Sequence, residues 1–158
     1  LMNKIKLIII MSFVAIFLGN SCSYQKMNSS DQKKFYIQEF DITGDYRESF
    51  IIQKKIQRFS NKESINRIKI SIDLNKKKAI QEKNIQNKVT KYNVELLAKV
   101  KIIELNTNRE INRNFNASQN YNVEDSYSKT INNAKEVNNS LIDKIVNEIL
   151  DQLRIYYN

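Results

Sequence analysis

The sequence predicts an α+β fold, namely a two-layer sandwich in which two helices cover one face of a four-stranded, mainly antiparallel sheet. Three observations lead to this class. Apolar and polar residues alternate strictly over residues 67–74, and apolar residues occupy every second position from Tyr92 to Ile102 in the predicted strand 91–105, which is typical of strands with one buried face. Apolar residues recur at helical spacing from about Ser126 to Tyr156. These segments predict the element order β-α-β-β-β-α within one domain, residues 34–158.

The first strand and the first helix are separated by the only glycine that follows the amino-terminal segment. Apolar residues over 35–42 predict a short strand, and Thr43-Gly44 marks its end. Asp45 has the character of a helix N-cap, with Glu48 three residues later, as in a capping box. The apolar stripe that follows predicts a helix that ends near residues 60–61.

The middle of the chain predicts three further strands. The strand over 67–74 is followed by a charged segment, 75–86, which is either a loop or the polar continuation of a hairpin. The strand over 91–105 leads through a turn at 106–108 to a return strand over 111–123. One face of the return strand carries a row of Asn residues, so we expect that face of the sheet to remain free.

The last helix and the strand over 91–105 have matching lengths. At 1.5 Å per residue the helix over 126–156 spans roughly 45 Å. At 3.3 Å per residue the strand spans about the same distance. The two elements can therefore lie along each other over their full length.

The amino terminus has the pattern of a secretory leader. Two lysines precede a 12-residue apolar run, residues 7–18, and small or polar residues follow it up to Cys22. We interpret residues 1–21 as a lipoprotein signal peptide, Cys22 as the lipidated cysteine, and residues 22–33 as a tether. Gly19 stands where a lipobox normally has leucine, so an ordinary signal peptide followed by an unrelated free thiol is the alternative.

The composition excludes most enzyme chemistries. The chain has no His, no Pro, no Trp, one Cys and two Gly. It therefore lacks the residues for a His-based triad, a zinc-cysteine cluster or a glycine-rich phosphate loop. We expect neither an enzyme nor a cofactor or metal site.

The basic charge is concentrated in one segment. Lys and Arg number 26 against 17 Asp and Glu, which gives a net charge of +9, or +7 without the leader. This excess reflects either the codon bias of an AT-rich genome or binding to anions. Nucleic acid is disfavoured, because the leader exports the chain and no aromatic residues interleave the cations. The candidate contacts for phosphates are the six lysines of residues 76–91: Lys76, Lys77, Lys78, Lys83, Lys88 and Lys91.

Most of residues 22–158 resemble, in architecture, the lipopolysaccharide-assembly lipoprotein family, LptE, and the resemblance is densest from Val89 to Leu153. The resemblance rests on a long strand, a return strand with Tyr-Asn, a Ser-Tyr segment and a long terminal helix. The residues concerned are 90–94 (TKYNV), Leu105, Arg109, 117–122 (ASQNYN), 125–128 (DSYS) and 145–150 (IVNEIL).

This resemblance implies an outer-membrane lipoprotein with a two-layer fold, anchored on the periplasmic side. Members of the family plug the large translocon barrel LptD, help it assemble, and assist insertion of lipopolysaccharide (LPS) at the cell surface. It implies that the partners here are an LptD-type barrel, LPS and the membrane, with the six lysines touching LPS or the barrel wall. An auxiliary lipoprotein of another lipid-export or ABC transport system is the alternative.

Overall fold

The computed structural model describes residues 34–157, so the predicted leader, Cys22 and tether lie outside the described residues. Six elements follow one another in the predicted order β-α-β-β-β-α. Their bounds are β1 Tyr36–Gly44, α1 Tyr46–Gln57, β2 Arg67–Lys83, β3 Val89–Glu104, β4 Glu110–Asn122 and α2 Tyr127–Tyr157.

The four strands form one mixed sheet in the order β1-β2-β3-β4. β1 runs parallel to β2, because α1 returns the chain to the starting end of the sheet before β2 begins. β2 pairs with β3, and β3 with β4, in antiparallel hairpins. The predicted α+β class and the mainly antiparallel sheet are therefore confirmed.

Both helices pack on the same face of the sheet, and the core lies between the two layers. The strict alternation of β2 directs Ile68, Ile70 and Ile72 into this core, where they are almost fully buried. Ile52 and Ile56 of α1 and the apolar stripe of α2 cover them, as one continuous cluster. Lys55 of α1 also forms an ion pair with Asp143 of α2.

The two helices cover very different lengths of the sheet. α1 has 12 residues, about 18 Å, whereas α2 has 31 residues, about 46 Å. β2 has 17 residues and spans roughly 55 Å. β1 accompanies β2 only as far as the pair Gly44–Leu74. The second half of β2 therefore extends beyond β1 and has no helix of its own to cover it.

The structure decides one open alternative and corrects two local expectations. Of the two alternatives for segment 75–86, the polar continuation of a hairpin is confirmed, with β2 extending to Lys83. α1 ends at Gln57, earlier than expected, since the chain turns there to reach β2. Asp45 is the N-cap residue, yet its side chain makes no capping hydrogen bond. The capping box is thus not formed, because the Glu48 side chain is buried elsewhere.

Gly44 ends β1 because no other residue fits there. Its φ of +102° lies in a region that residues with a Cβ rarely adopt. A Cβ on Gly44 would also lie 1.9 Å from the carbonyl oxygen of Leu74. The close approach of β1 to β2 at their last pair therefore depends on glycine.

Candidate functional site

The part of the sheet beyond the first helix is the candidate site, and we call residues 75–92 the strand extension. Its β2 residues, Asn75–Lys83, are all exposed, in contrast to the buried alternation up to Leu74. Antiparallel pairing with β3 nevertheless continues through Lys78–Val94 and Ile80–Tyr92 to the turn at 84–88. The extension is a hairpin with register irregularities on either side of Glu82, and most of its side chains are presented to solvent.

The six predicted lysines lie on this extension but do not form a single patch. Lys76 and Lys78 lie on the same face as the core, because they continue the buried alternation of β2. Lys77 lies on the opposite, outer face, paired across from Glu95. The other three, Lys83, Lys88 and Lys91, lie near the turn.

Lys76 has a structural partner in the core layer. Its Nζ donates a hydrogen bond of 2.7 Å to Oε1 of Glu48, on the first turn of α1. Glu48 is only 3% exposed, so its charge would be unfavourable without this cation. Burial raises the pKa of Glu48, but the hydrogen bonds of Asp45 and Lys76 outweigh burial and lower this pKa to about 2. Lys76 thus ties α1 to the start of the extension.

Lys78 lies over an aromatic pair. Its Nζ is 3.8 Å from the ring centroid of Tyr92 and 5.4 Å from that of Tyr121. The two rings contact each other at a centroid distance of 5.5 Å. The lysine segment itself contains no aromatic residue, yet the fold brings two aromatic rings against Lys78. The two tyrosines belong to β3 and β4, and only the pairing register of the strands brings them next to Lys78. The sequence of the lysine segment alone therefore does not indicate them.

The lysines near the turn have exposed partners or no ion-pair partner. Lys83 donates to Oδ1 of Asn87 at 3.0 Å, and Lys91 forms an ion pair with Glu82 at 2.6 Å. Within residues 34–157, Lys77 and Lys88 have no ion-pair partner. The extension also carries two exposed apolar side chains, Ile80 and Ile85. Its distal part therefore presents both charge and apolar surface.

The outer face of the sheet is polar and carries ion pairs between neighbouring strands. Lys101 pairs with Glu110 and Lys69 with Glu39, each at 2.8 Å. Asn93 donates to the side chains of Ser118 and Asn120 across the β3–β4 ladder. A shallow depression of about 380 Å³ crosses this face, lined among others by Asp41, Thr43, Ser71, Asp73, Lys99, Lys101, Asn112 and Asn114. No helix covers it, as the Asn row predicts.

The described part of the chain has neither a metal-binding cluster nor a membrane-spanning helix. Among residues 34–157, no group of three or more Cys, Asp or Glu side chains is arranged to hold a metal ion. Neither helix in this range is long and apolar enough to cross a membrane.

Comparison of the fold with solved structures gives several matches among bacterial lipoproteins. Lipoprotein B of Nitrosomonas europaea superposes with a TM-score of 0.60 at 12% identity, covering 83% of this chain and 90% of that one. Rare lipoprotein B of Shewanella oneidensis gives 0.58 at 6% identity, covering 75% and 92%. A minor lipoprotein of Acinetobacter baumannii gives 0.56 at 11% identity, covering 78% and 94%. At these identities the likeness establishes a shared fold.

Neither a protein-family model nor a curated protein matches the sequence of this chain. The shared fold therefore rests on three-dimensional comparison.

The buried Glu48–Lys76 pair leads to a stability prediction. We expect Glu48→Gln to lower the free energy of unfolding at pH 7 by about 2 kcal/mol, because half-buried Lys76 loses its counter-charge. The matched control is Glu39→Gln, which removes an exposed ion pair with Lys69 and should cost less than about 0.5 kcal/mol. Urea unfolding of both variants measures the difference.

The same pair gives this prediction a pH dependence. Since the folded-state pKa of Glu48 is about 2 and its ordinary value is 4.5, its contribution is complete above pH 4.5 and is lost as the pH falls toward 2. The difference between the wild-type chain and Glu48→Gln should therefore shrink below pH 4.5. A difference that stays constant from pH 7 to pH 3 would contradict the role assigned to this pair.

Proposed function

We propose that this chain is an outer-membrane lipoprotein that plugs and helps assemble an LptD-type barrel and assists the insertion of LPS at the cell surface. The observation that carries the proposal is the fold, which the chain shares with lipoproteins over at least 75% of its own length and 90% of theirs. The leader pattern that ends at Cys22 supports it independently. The role is one of binding and assembly, not catalysis.

The outer face of the sheet supports a role as a plug. A water-filled barrel lumen requires polar surface on whatever occupies it, and this face offers exposed amide, hydroxyl and paired charged groups across all four strands. It carries charges of both signs, some of them in ion pairs between strands, so it can lie against a polar wall without a large field of one sign.

The two ends of the sheet are suited to different roles, one to attachment at the membrane and the other to contact with LPS or the barrel. Lys34, where the tether joins the domain, is fixed by hydrogen bonds from Ser64 and Asn66, next to the first residue of β2. The turn of the strand extension lies at the other end of β2, roughly 50 Å away. A lipid at Cys22 would therefore hold one end of the domain at the membrane and leave the cationic end free to meet LPS phosphates or the barrel.

An auxiliary lipoprotein of another lipid-export or ABC system is the second candidate. The shared fold favours a lipoprotein without specifying which transporter it serves. The proteins that co-purify with the chain distinguish the two candidates.

The first test examines both the lipid anchor and the partner protein. We expect the full-length chain, extracted from its own membranes in mild detergent, to co-purify with a very large β-barrel identified by mass spectrometry. Cys22→Ala should lose fatty-acid labelling and accumulate as unprocessed precursor. Unchanged processing of Cys22→Ala would refute the lipid anchor, and co-purification with an inner-membrane transporter would favour the second candidate.

The second test concerns the lysines. The structure identifies Lys77 and Lys88 as the informative pair, because reversing Lys76 or Lys78 would also disturb the packing described above. We expect Lys77→Glu/Lys88→Glu to weaken binding to purified LPS at least about fivefold at low salt, with the difference shrinking at high salt. The matched control, Lys135→Glu/Lys144→Glu, makes the same charge change on exposed positions of α2.

The comparison between these two double variants decides the result. Equal loss of binding in both would mean that only net charge matters. Wild-type affinity in Lys77→Glu/Lys88→Glu would leave these lysines as solvated residues with no role in LPS binding.

A further inference from the structure

The outer edge of β4 is open along its length. The carbonyl of Arg109 accepts from Glu104, and the amide of Val123 donates to Thr90, so residues just outside both ends of β4 are bonded toward β3. The β3–β4 register has no irregularity, and successive residues of a strand point their backbone groups to opposite sides. The even-numbered residues from Glu110 to Asn122 therefore direct N–H and C=O away from the sheet.

This edge lacks the charges that protect the other open edges of the sheet. β1 carries Glu39 and Asp41, and the open part of β2 carries its lysines. Between Ile111 and Val123, by contrast, Arg113 is the only charged residue of β4. Sheet edges that must not pair are normally blocked by charges, by proline or by being short, and this 13-residue edge has almost none of these features.

We propose that a second copy of this chain pairs with it through β4, antiparallel, about a two-fold axis at Asn116. The β4 sequence is close to self-complementary in that register. On the outer face, amides and hydroxyls meet one another: Asn116 lies opposite its own copy, Asn114 opposite Ser118, and Asn112 opposite Asn120. Such pairs form hydrogen bonds across the interface without placing like charges together.

The core-side face is equally complementary in the same register. Phe115 lies opposite Ala117, a large side chain against a small one, and Ile111 lies opposite Tyr121. Arg113 lies opposite Gln119, so the single charged residue between Ile111 and Asn122 meets a neutral amide. A shift of the register by two residues would place Asn116 opposite Ser118 and would leave Phe115 facing Gln119.

The course of α2 leaves room for a second copy. The helix borders the β4 edge near its start, where Asn133 donates to the carbonyl of Asn122. Near its end it still borders β4, because the hydroxyl of Tyr156 accepts from Arg113, while Tyr157 contacts Phe35, which precedes β1. α2 thus follows β4 on the core-side face of the sheet and does not lie in the plane of its outer edge. A cavity of about 380 Å³ also separates α2 from the last residues of β4, beside the proposed added strand.

Few groups already occupy the edge. Within the described residues, the outward carbonyl of Asn112 accepts from Arg113 and that of Asn122 accepts from Asn133, both through exposed side chains that water can replace. The central residues 114–120 are open. Two-fold pairing closes the edge of both copies, so it yields a dimer and not an open fibre. The proposal rests on the geometry of β4 and is independent of the proposed function.

Disulfide trapping tests the axis directly. In a Cys22→Ser background, Asn116→Cys places two thiols on residues opposite each other, with Cα atoms about 5.5 Å apart, which a disulfide can span. We expect the full-length chain in mild detergent to form covalent dimers on gentle oxidation. The matched control, Asn120→Cys, puts the same residue on the same face, but its two copies are about 27 Å apart in this register.

A mixture of two cysteine variants tests the register of the pairing. Asn120→Cys chains should cross-link to Asn112→Cys chains but not to themselves. Cross-linking of Asn116→Cys that does not exceed that of Asn120→Cys would overturn the proposal.

Charge at the axis gives a second, non-covalent test. Asn116→Lys places two lysines opposite each other and should weaken dimerisation at least tenfold in sedimentation equilibrium, with an unchanged circular dichroism spectrum. Lys135→Glu, away from the edge, should dimerise like the wild-type chain. A wild-type chain that remains monomeric at the highest soluble concentration would refute the dimer and indicate that this edge serves another partner or none.

Discussion

The structure depends on one change along β2, where the core-side face of the strand passes from apolar to cationic between Leu74 and Lys76. Up to Leu74 each core-side residue is buried by the helices, and each burial contributes on the order of 1.5–3 kcal/mol. Beyond it the same face carries Lys76 and Lys78, which a helix cannot cover without a costly desolvation. β1 and α1 meet at this point, because Gly44 pairs with Leu74 and the chain turns into α1.

The Glu48–Lys76 pair closes the core at this boundary. Glu48, on the first turn of α1, accepts a hydrogen bond from Lys76, the first cation beyond the apolar stripe of β2. This contact fixes the position of the start of α1 relative to the strand extension. The pair replaces the capping box that the spacing of Asp45 and Glu48 suggests. Lys78, one step further, is accommodated by the faces of Tyr92 and Tyr121 instead of by a carboxylate.

Most of the fold can be predicted from the sequence because the buried faces have clear periodicity. The alternation of apolar and polar residues predicts the strands β3 and β4, the helical spacing predicts the length of α2, and together they give the class and the element order. The end of β2 does not, since a two-sided polar strand such as 75–83 lacks the hydrophobic alternation that distinguishes a strand from a loop. The partners of the lysines depend on cross-strand register, which brings Tyr92 and Tyr121 to Lys78 and Glu48 to Lys76 from distant positions. The density of lysines identifies the segment, but it does not show which lysines have partners in the fold and which are free to bind a ligand.

Hydrogen exchange along β2 tests the central claim most directly. Amides of β2 up to Leu74 lie between two strands and under helices, whereas alternate amides from Lys76 to Lys83 face an open edge. We expect protection factors, measured by NMR, to fall by at least about 100-fold between the buried amides of residues 68–74 and those of the extension that face solvent. Uniform protection of β2 through to Lys83 would contradict the account, since it would require a cover over the strand extension.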